Sequence, residues 1–320
     1  NIIVTFLAAT LVVKGKMTLG ELLSVSYIVG QMNSPVSQLI TFFRSLQDAK
    51  ISLERLNEVQ NHEAEENKEQ KNLILEKTKN SGVFLNNISF QYEGPKSPYV
   101  LKDIKFTIPD GKITAIVGAS GSGKTTLMKL LLKFYEPTQG ELFFNSENIN
   151  NISPKSLREN CGVVMQDGFI FSDTIERNIA TGDENINKEK LQNAVKIANI
   201  EEFISSLPLG YNTKIGASGN GISGGQKQRI LIARAVYKNP HYIFFDEATS
   251  ALDAENEKII HDNLQQFFKG KTVLIIAHRL STVKNADQII VLKNGEIAET
   301  GNHLQLVQNK ADYFNLVKNQ

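Results

Sequence analysis

Apolar and charged positions divide the chain into an apolar first part and a longer second part in which both kinds alternate. Residues 1–13 carry no charge, and a second uncharged run covers residues 22–43. A helix over the second run extends roughly 33 Å at about 1.5 Å per residue, and the hydrocarbon core of a bilayer is about 30 Å thick. We therefore expect the end of one membrane span first, and then a complete span at about residues 19–43.

The second uncharged run is polar for a membrane helix, because Ser, Gln and Asn recur along it and Pro35 lies inside it. A helix surrounded by lipid would not present so many polar groups, so we expect one face to contact other helices or a water-filled path. Arg44, Lys50 and Arg55 follow the run, and positive charge next to a span marks its cytoplasmic end. Two buried helices of a soluble domain are the alternative, although such helices usually carry a charged face.

Downstream of the apolar part, the pattern changes twice. Apolar residues recur at near-helical spacing over residues 44–60, so we expect the helix to continue and residues 1–60 to form the C-terminal part of a transmembrane domain. Residues 61–81 are charged and polar, as in a linker. From residue 82 to residue 320, short β-type runs alternate with helical stretches. This order predicts an α/β fold with a mostly parallel sheet covered by helices.

Composition sets limits on partners and compartment. The chain is 41% apolar and 22% charged, which is typical of a globular protein. With 35 basic and 34 acidic residues the net charge is +1, so no overall field attracts the chain to nucleic acid. The single cysteine, Cys161, excludes an internal disulfide and is expected in the core. Asn1 begins the sequence inside an apolar run, so we expect a partial chain rather than a signal peptide.

A glycine-rich phosphate-binding loop follows the apolar run at residues 113–117. The sequence GASGSGKTT matches the pattern G-x-x-x-x-G-K-[ST], with a strand expected before it and a helix after it. Glycines let successive backbone N–H groups point at phosphate oxygens, and Lys124 is expected to reach the β and γ phosphates of ATP. The hydroxyl of Thr125 is expected to bind Mg²⁺. The expected nucleotide contacts are Gly118, Ala119, Ser120, Gly121, Ser122, Gly123, Lys124, Thr125 and Thr126.

Two adjacent carboxylates are expected to supply the rest of the chemistry of ATP hydrolysis. Asp246 ends the apolar run that begins at residue 242, and a carboxylate at the end of a buried strand is the Walker B arrangement. We expect Asp246 to hold Mg²⁺ through water and Glu247 to activate the attacking water as the general base. A phosphate-binding loop combined with these carboxylates predicts a nucleoside triphosphatase.

A third motif, in the sequence GISGGQKQRILIARAV, lies between the phosphate loop and the carboxylates and opens an amphipathic helix. Residues 222–226 resemble the LSGGQ signature of ABC ATPases, with Ile222 in place of leucine. The resemblance extends over residues 82 to about 310. It implies the ABC type of P-loop fold, with an antiparallel β part beside the parallel sheet and a helical subdomain at about residues 166–240.

The resemblance also implies roles for residues outside the phosphate loop. Tyr92 would stack on adenine, residues 250–253 would be the D-loop, and Gln166 would be the Q-loop glutamine near Mg²⁺. His278 would hydrogen-bond the γ-phosphate. In this family two domains assemble head to tail, and the partner's signature motif covers each ATP. The implied catalytic residues are Glu247, His278, Gln166 and Lys124, the metal contacts are Thr125, Gln166 and Asp246, and the covering residues are Ser223, Gly224, Gly225 and Gln226 of the partner subunit.

The apolar part precedes the ATPase, so the chain resembles type I ABC exporters, whose half-transporters carry membrane spans before the nucleotide domain. Residues 14–56 look like bacterial peptide and bacteriocin exporters, including the type with an N-terminal cysteine peptidase domain. The resemblance implies a homodimeric motor in the bacterial inner membrane, with several spans and its ATPase domain in the cytoplasm. The implied partners are a second half-transporter, an exported peptide and membrane lipid, without nucleic acid.

Alternatives to a peptide exporter stay open at this stage. Lipid and drug exporters share the same motifs, and a non-transport ABC ATPase would act on nucleic acid, although the chain has neither long coiled-coil heptads nor a basic stripe. An inactive site would have lost Lys124, Glu247 or His278, and all three are present. Residues 216–219 read GASG, whereas exporters commonly have glutamate after the glycine. In exporters this glutamate is expected to contact the membrane domain, and Ala217 has no carboxylate for such a contact.

Overall fold

The computed structural model describes residues 2–60, 65–66, 69–75, 81–94, 96–216, 219, 221–248, 251–277 and 283–318. The chain divides into two compact units, Asn1–Glu65 and Glu66–Gln320.

Unit 1 consists of two helices, α1 (Ile2–Val13) and α2 (Leu19–Gln60). The Thr18 and Glu21 side chains each accept a hydrogen bond from the other residue's backbone N–H, which fixes the start of α2. Helix α2 runs past Phe43 without a break, so the predicted continuation of the helix is confirmed. Among the described residues, no helix combines the length and the apolarity that a membrane crossing requires. The span expected at about residues 19–43 is therefore helical but not shown as a crossing, because Ser, Gln and Asn dilute its apolar run.

Unit 2 contains an antiparallel sheet of four strands in the order β2-β1-β4-β5. Its strands are β1 (Gly82–Phe90), β2 (Leu101–Pro109), β4 (Gln139–Phe144) and β5 (Glu147–Asn148). All pairs in this sheet are antiparallel, with register shifts in β1 on both of its edges. The antiparallel β part implied by the resemblance is thus present.

A second sheet of six strands has the order β10-β9-β3-β8-β7-β6, and all its neighbours are parallel except β10 and β9. Its strands are β3 (Ile113–Val117), β6 (Cys161–Val164), β7 (Tyr242–Asp246), β8 (Thr272–Ile276), β9 (Gln288–Lys293) and β10 (Glu296–Gly301). The prediction of a mostly parallel sheet is confirmed. Parallel strands that are neighbours end at one edge, so the segments after β3, β6, β7 and β8 meet there.

Helices fill the connections of unit 2, and several begin with a side-chain cap that satisfies backbone N–H groups of the first turn. They are α3 (Lys124–Leu131), α4 (Pro154–Glu159), α5 (Ile175–Ile179), α6 (Lys188–Ile197), α7 (Glu201–Ser206), α8 (Gly224–Lys238), α9 (Ala254–Phe267), α10 (His303–Asn309) and α11 (Asp312–Lys318). Helices α5 to α8 lie in the chain between β6 and β7. They supply the helical part that the resemblance implies.

The parallel sheet is buried on both faces, and alternate residues of its strands belong to two apolar clusters. On β7, Ile243 and Phe245 pack with helices α5 to α9, while Phe244 packs with α3 and the antiparallel sheet. Cys161 is 2% exposed in the second cluster, so its predicted place in the core is confirmed. Burial raises the pKa of its thiol to about 12. A core on both faces fixes the ends of the strands, where the functional side chains lie.

Part of the segment expected to be a linker belongs to unit 2 and packs within it. Lys71 forms a parallel bridge with Ile152. Leu73 is buried, and its backbone N–H donates to the hydroxyl of Ser156 at 2.9 Å. Of the described residues between α2 and β1, residues 71–73 are therefore held by backbone contacts and by the core.

Candidate nucleotide-binding site

The loop between β3 and α3 has a backbone that glycine alone can follow at two positions. Gly118 and Gly123 have φ angles of 158° and 103°. A Cβ atom at Gly118 would lie 2.2 Å from the carbonyl oxygen of Leu292, and one at Gly123 would lie 2.7 Å from the Leu101 side chain. Gly123 begins α3 without a side-chain cap. The first N–H groups of α3 therefore face outward from the helix end, where they suit an anion.

Lys124 places its ammonium group inside this loop. Its Nζ donates to the carbonyl oxygens of Gly118 and Ala119, both at 2.9 Å, and the residue is 6% exposed. Burial lowers the pKa of Lys124, while the charges of Glu247 and Asp246 act to raise it. The ammonium group, the backbone N–H groups and both carboxylates therefore share one site.

The loop also fits a polar ligand by its buried hydroxyl. Ser122 is 4% exposed, and within the described residues its Oγ has no hydrogen-bond partner. A buried polar atom without a partner costs about 1–3 kcal/mol. A phosphate oxygen in the loop would satisfy the Ser122 hydroxyl.

The predicted metal contacts Thr125 and Asp246 are brought together by the fold. Asp246 ends β7 directly opposite Ile276 of β8, and β8 in turn pairs with β3. The Thr125 hydroxyl donates to the Asp246 carboxylate at 2.8 Å, and Asp246 is 1% exposed. A hydroxyl and a carboxylate are hard oxygen ligands, which is the donor set that Mg²⁺ selects. These two residues fit a magnesium ion next to the phosphate loop.

Glu247 follows Asp246 in a left-handed backbone conformation, with a φ angle of 51°. Such a conformation costs roughly 1 kcal/mol or more for a residue with a side chain. Two hydrogen bonds hold it: the Glu247 N–H donates to the carbonyl of Ile276 at 3.1 Å, and its carbonyl accepts from the Gln228 side chain at 2.8 Å. The turn at Glu247 is thus fixed by a neighbouring strand and by α8.

Tyr92, the expected adenine contact, lies in an aromatic group beside the phosphate loop. Its ring packs edge to face against Phe90 and Tyr135, with centroid distances of 4.9 and 5.3 Å. The Tyr92 hydroxyl is 2.9 Å from the hydroxyl of Thr126, and the residue is 45% exposed. Tyr135 was not predicted, because its only signal in the sequence is an aromatic residue shortly after α3. The exposed ring of Tyr92 is therefore held in a fixed plane next to the loop.

Replacing Tyr92 by alanine is expected to weaken ATP binding about tenfold or more, because aromatic stacking on a base contributes roughly 1–3 kcal/mol. Affinity for inorganic tripolyphosphate, which has no base, should stay within about twofold. Equilibrium dialysis with both ligands measures the two affinities. Tyr92→Phe should keep ATP binding, and Tyr99→Ala, at an exposed position of the same loop between β1 and β2, is the control. An equal loss of affinity for both ligands would contradict a role in binding the base.

The structure describes some of the remaining expected site residues and not others. Gln166 is exposed two residues after β6, whose Val164 pairs with Phe245, so it lies at the same edge as Asp246. His278 and Ser250 lie outside the described residues, as do Ala217 and Ser218. Asp253, the last residue of the expected D-loop, caps α9 through its carboxylate.

The signature residues form a helix cap of their own. Ser223 accepts a hydrogen bond from the Gln226 N–H, and the Gln226 side chain accepts from the Ser223 N–H. The chain turns at Gly224 and Gly225 into α8. Within the described part of the chain, no hydrogen bond joins residues 223–226 to the phosphate loop. The signature is therefore built as a separate helix N-terminus.

Polar contacts that were not predicted join α8 to the segment after Gln166. Asn178 is fully buried, and its side chain bonds the backbone N–H and carbonyl of Phe171. Arg234 of α8 donates to the carbonyls of Asn178 and Phe169 at 2.7 and 2.9 Å. In the sequence, the only signal of this network is the presence of polar residues within the apolar faces of helices.

The sheet, the glycine loop and the paired carboxylates define a P-loop nucleoside triphosphate-binding domain. Residues 101–250 match the family described as ABC transporter. The matched residues therefore form an ABC transporter ATP-binding domain, the part of such transporters that hydrolyses ATP.

Curated relatives agree with this identification. The Toxin RTX-I translocation ATP-binding protein of Actinobacillus pleuropneumoniae is 44% identical over 306 residues, which are 96% of this chain and 43% of that protein. A leukotoxin translocation ATP-binding protein of Mannheimia haemolytica is 44% identical over 304 residues, which are 95% of this chain and 42% of that protein. The chain thus spans less than half the length of these relatives.

A solved structure gives the same answer for the fold. The structure of a bacterial Atm1-family ABC exporter with ATP bound matches 94% of this chain and 53% of its own chain. The TM-score is 0.78 and the sequence identity is 35%. The ABC type of P-loop fold expected from the sequence is thereby supported.

Proposed function

We propose that this chain is the ATP-hydrolysing motor of an ABC exporter and works as a dimer of two such chains. The observation that carries the proposal is the 2.8 Å hydrogen bond between Thr125 and Asp246, which joins the phosphate loop to the carboxylate edge of the sheet. Lys124 directly precedes Thr125, and Glu247 directly follows Asp246. Together they supply an anion-binding loop, oxygen ligands for a metal and a base.

In the proposed mechanism, the residues of the loop bind ATP and the carboxylates act on water. Lys124 and the backbone N–H groups hold the β and γ phosphates. Mg²⁺, held by Thr125, Asp246 and Gln166, would neutralise charge on the phosphate oxygens. Glu247 takes a proton from the attacking water while the water oxygen forms a bond to the γ-phosphorus. The bond between the γ-phosphorus and the β–γ bridging oxygen breaks at the same time. His278 donates to the γ-phosphate in this proposal.

The proposed ATP site is completed by a second chain. The backbone N–H groups at the start of α8 and the hydroxyl of Ser223 form an anion-binding cap. In a head-to-tail pair, the signature turn of the partner subunit covers the ATP that is held by the phosphate loop of the first chain. The covering residues are Ser223 of the partner subunit and the residues that follow it up to position 226. The separate position of the signature within one chain supports this arrangement.

The cargo of the proposed exporter is a peptide or protein. The relatives are named as translocation ATP-binding proteins for toxins, which supports a polypeptide cargo over a lipid or a drug. We place the end of the membrane domain at residues 1–60, a linker at 61–81 and the ABC domain at 82–320, with the ATPase on the cytoplasmic side of the bacterial inner membrane. A preceding cysteine peptidase domain, as in bacteriocin exporters, is the finer form of this proposal.

Mixing two defective chains tests the two-chain site. Lys124→Ala removes the phosphate contact, and Ser223→Glu puts a negative charge in the cap, so each chain alone should show almost no phosphate release. A mixed pair has one intact site, formed by Lys124 of one chain and Ser223 of the partner subunit. With random pairing half of the pairs are mixed and each has one intact site, so turnover of the mixture should rise above that of either component and reach at most about a quarter of the wild-type value.

The control mixture combines Lys124→Ala with Glu247→Gln. Both residues belong to the same half of the site, so no mixed pair contains an intact site and turnover should stay low. If the first mixture is no more active than its separate components, the two-chain site is contradicted. Recovery in both mixtures would contradict the assignment of Lys124 and Glu247 to one half.

A further inference from the structure

Gln228 joins two segments that belong to different parts of the proposed site. It lies in the first half of α8 and is 8% exposed. Its Nε2 donates to the carbonyl of Glu247 at 2.8 Å, and its Oε1 accepts from the backbone N–H of Ala251 at 2.9 Å. Both ends of this buried amide are therefore satisfied by the loop that begins with the proposed base.

The Gln228 amide bridges two positions of the loop between β7 and α9, Glu247 and Ala251, which lie four residues apart in sequence. Glu247 is in the left-handed conformation described above, and its carbonyl receives the Gln228 bond. Ala251 lies next to Leu252, which packs in the apolar core. Without the amide, the Glu247 carbonyl and the Ala251 N–H would each lose this hydrogen-bond partner. The backbone on both sides of the loop would then be free to move.

The signature turn packs on the same loop. A Cβ atom at Gly225 would lie 3.2 Å from the carbonyl oxygen of Ala251, and one at Gly224 would lie 3.7 Å from the Ala251 side chain. The cap residues thus lie close to Ala251, and Gln228 follows the cap on the same helix. The start of α8 is therefore joined to Ala251 and, through Gln228, to the backbone of Glu247.

We infer that Gln228 is a positioning residue that couples the signature turn of this chain, residues 223–226, to the orientation of its own base, Glu247. The inference rests on the proposed function. In the pair of chains, the signature covers the partner's ATP while Glu247 acts on the chain's own ATP. Gln228 therefore links the two ATP sites through one side chain, so that closure of the cap over one ATP sets the base for the other.

Replacing Gln228 by leucine, which has similar volume but no polar atoms, is expected to lower kcat on the order of tenfold, because a small misplacement of a reacting group is costly. KM for ATP should stay within about twofold, since the phosphate loop is not altered. Gln228→Glu should behave similarly, because a carboxylate accepts from Ala251 but cannot donate to the Glu247 carbonyl. Phosphate release by the full chain measures both parameters, and thermal unfolding checks that each variant is folded.

A matched control and a double variant distinguish positioning from a general structural role. Gln192→Leu makes the same change at an exposed position of α6 and should leave kcat unaltered. In a Glu247→Gln background, Gln228→Leu should lower the residual turnover less than about twofold, because the base through which it acts is gone. An additive loss in the double variant, or an unaltered kcat in folded Gln228→Leu, would overturn the inference. Wild-type turnover in Glu247→Gln alone would instead overturn the proposed base.

Discussion

The chain with Glu247→Gln is expected to hydrolyse ATP about 100-fold or more slowly than the wild type, because a general base contributes roughly 10²- to 10⁴-fold to the rate. Glutamine keeps the size of the side chain but has no basic oxygen to take the proton of the attacking water. ATP binding should stay within about twofold, since the phosphate loop and Asp246 are unaltered. Phosphate release and equilibrium binding of ATP measure the two effects.

The control for this prediction is Glu255→Gln, which makes the same change at an exposed position in the first turn of α9. That variant should hydrolyse ATP at the wild-type rate. If Glu247→Gln keeps full turnover, Glu247 is not the base. If it loses binding and turnover equally, its role lies in holding ATP rather than in activating water.

Replacing Lys124 by alanine should weaken ATP binding on the order of 10- to 100-fold. Hydrogen bonds to charged groups contribute about 1.5–3 kcal/mol each, and the ammonium lies inside the loop within reach of bound phosphates. Lys124→Met keeps most of the buried stem and separates the loss of charge from the loss of packing. Lys129→Met on the same helix is the matched control. Equal ATP affinity in the wild type and in Lys124→Met would contradict the assignment of Lys124.

The phosphate loop and the carboxylate pair were predictable because their geometry is local in sequence. The order of strand, glycine loop and helix fixes where Lys124 and Thr125 lie. A buried strand that ends in Asp246 places this carboxylate at the same edge once the sheet is parallel. The contact between Thr125 and Asp246 follows from these two local patterns and from the sheet order.

Other features depend on contacts that no local pattern encodes. Gln228 reads as one polar residue within an amphipathic helix, and its two partners lie 19 and 23 residues away. Tyr135 acquires its place beside Tyr92 only through the packing of the antiparallel sheet next to α3. The polar residues of α2 likewise gave conflicting signals, because length favours a membrane span while Ser, Gln and Asn disfavour it.

The most direct test of the two-chain ATP motor is sedimentation and phosphate release of the purified full chain with MgATP, with the wild type beside Glu247→Gln. We expect the variant to form a dimer that depends on ATP and does not turn over, while the wild type releases phosphate continuously. ATP hydrolysis by a wild-type chain that stays monomeric throughout turnover would contradict the account.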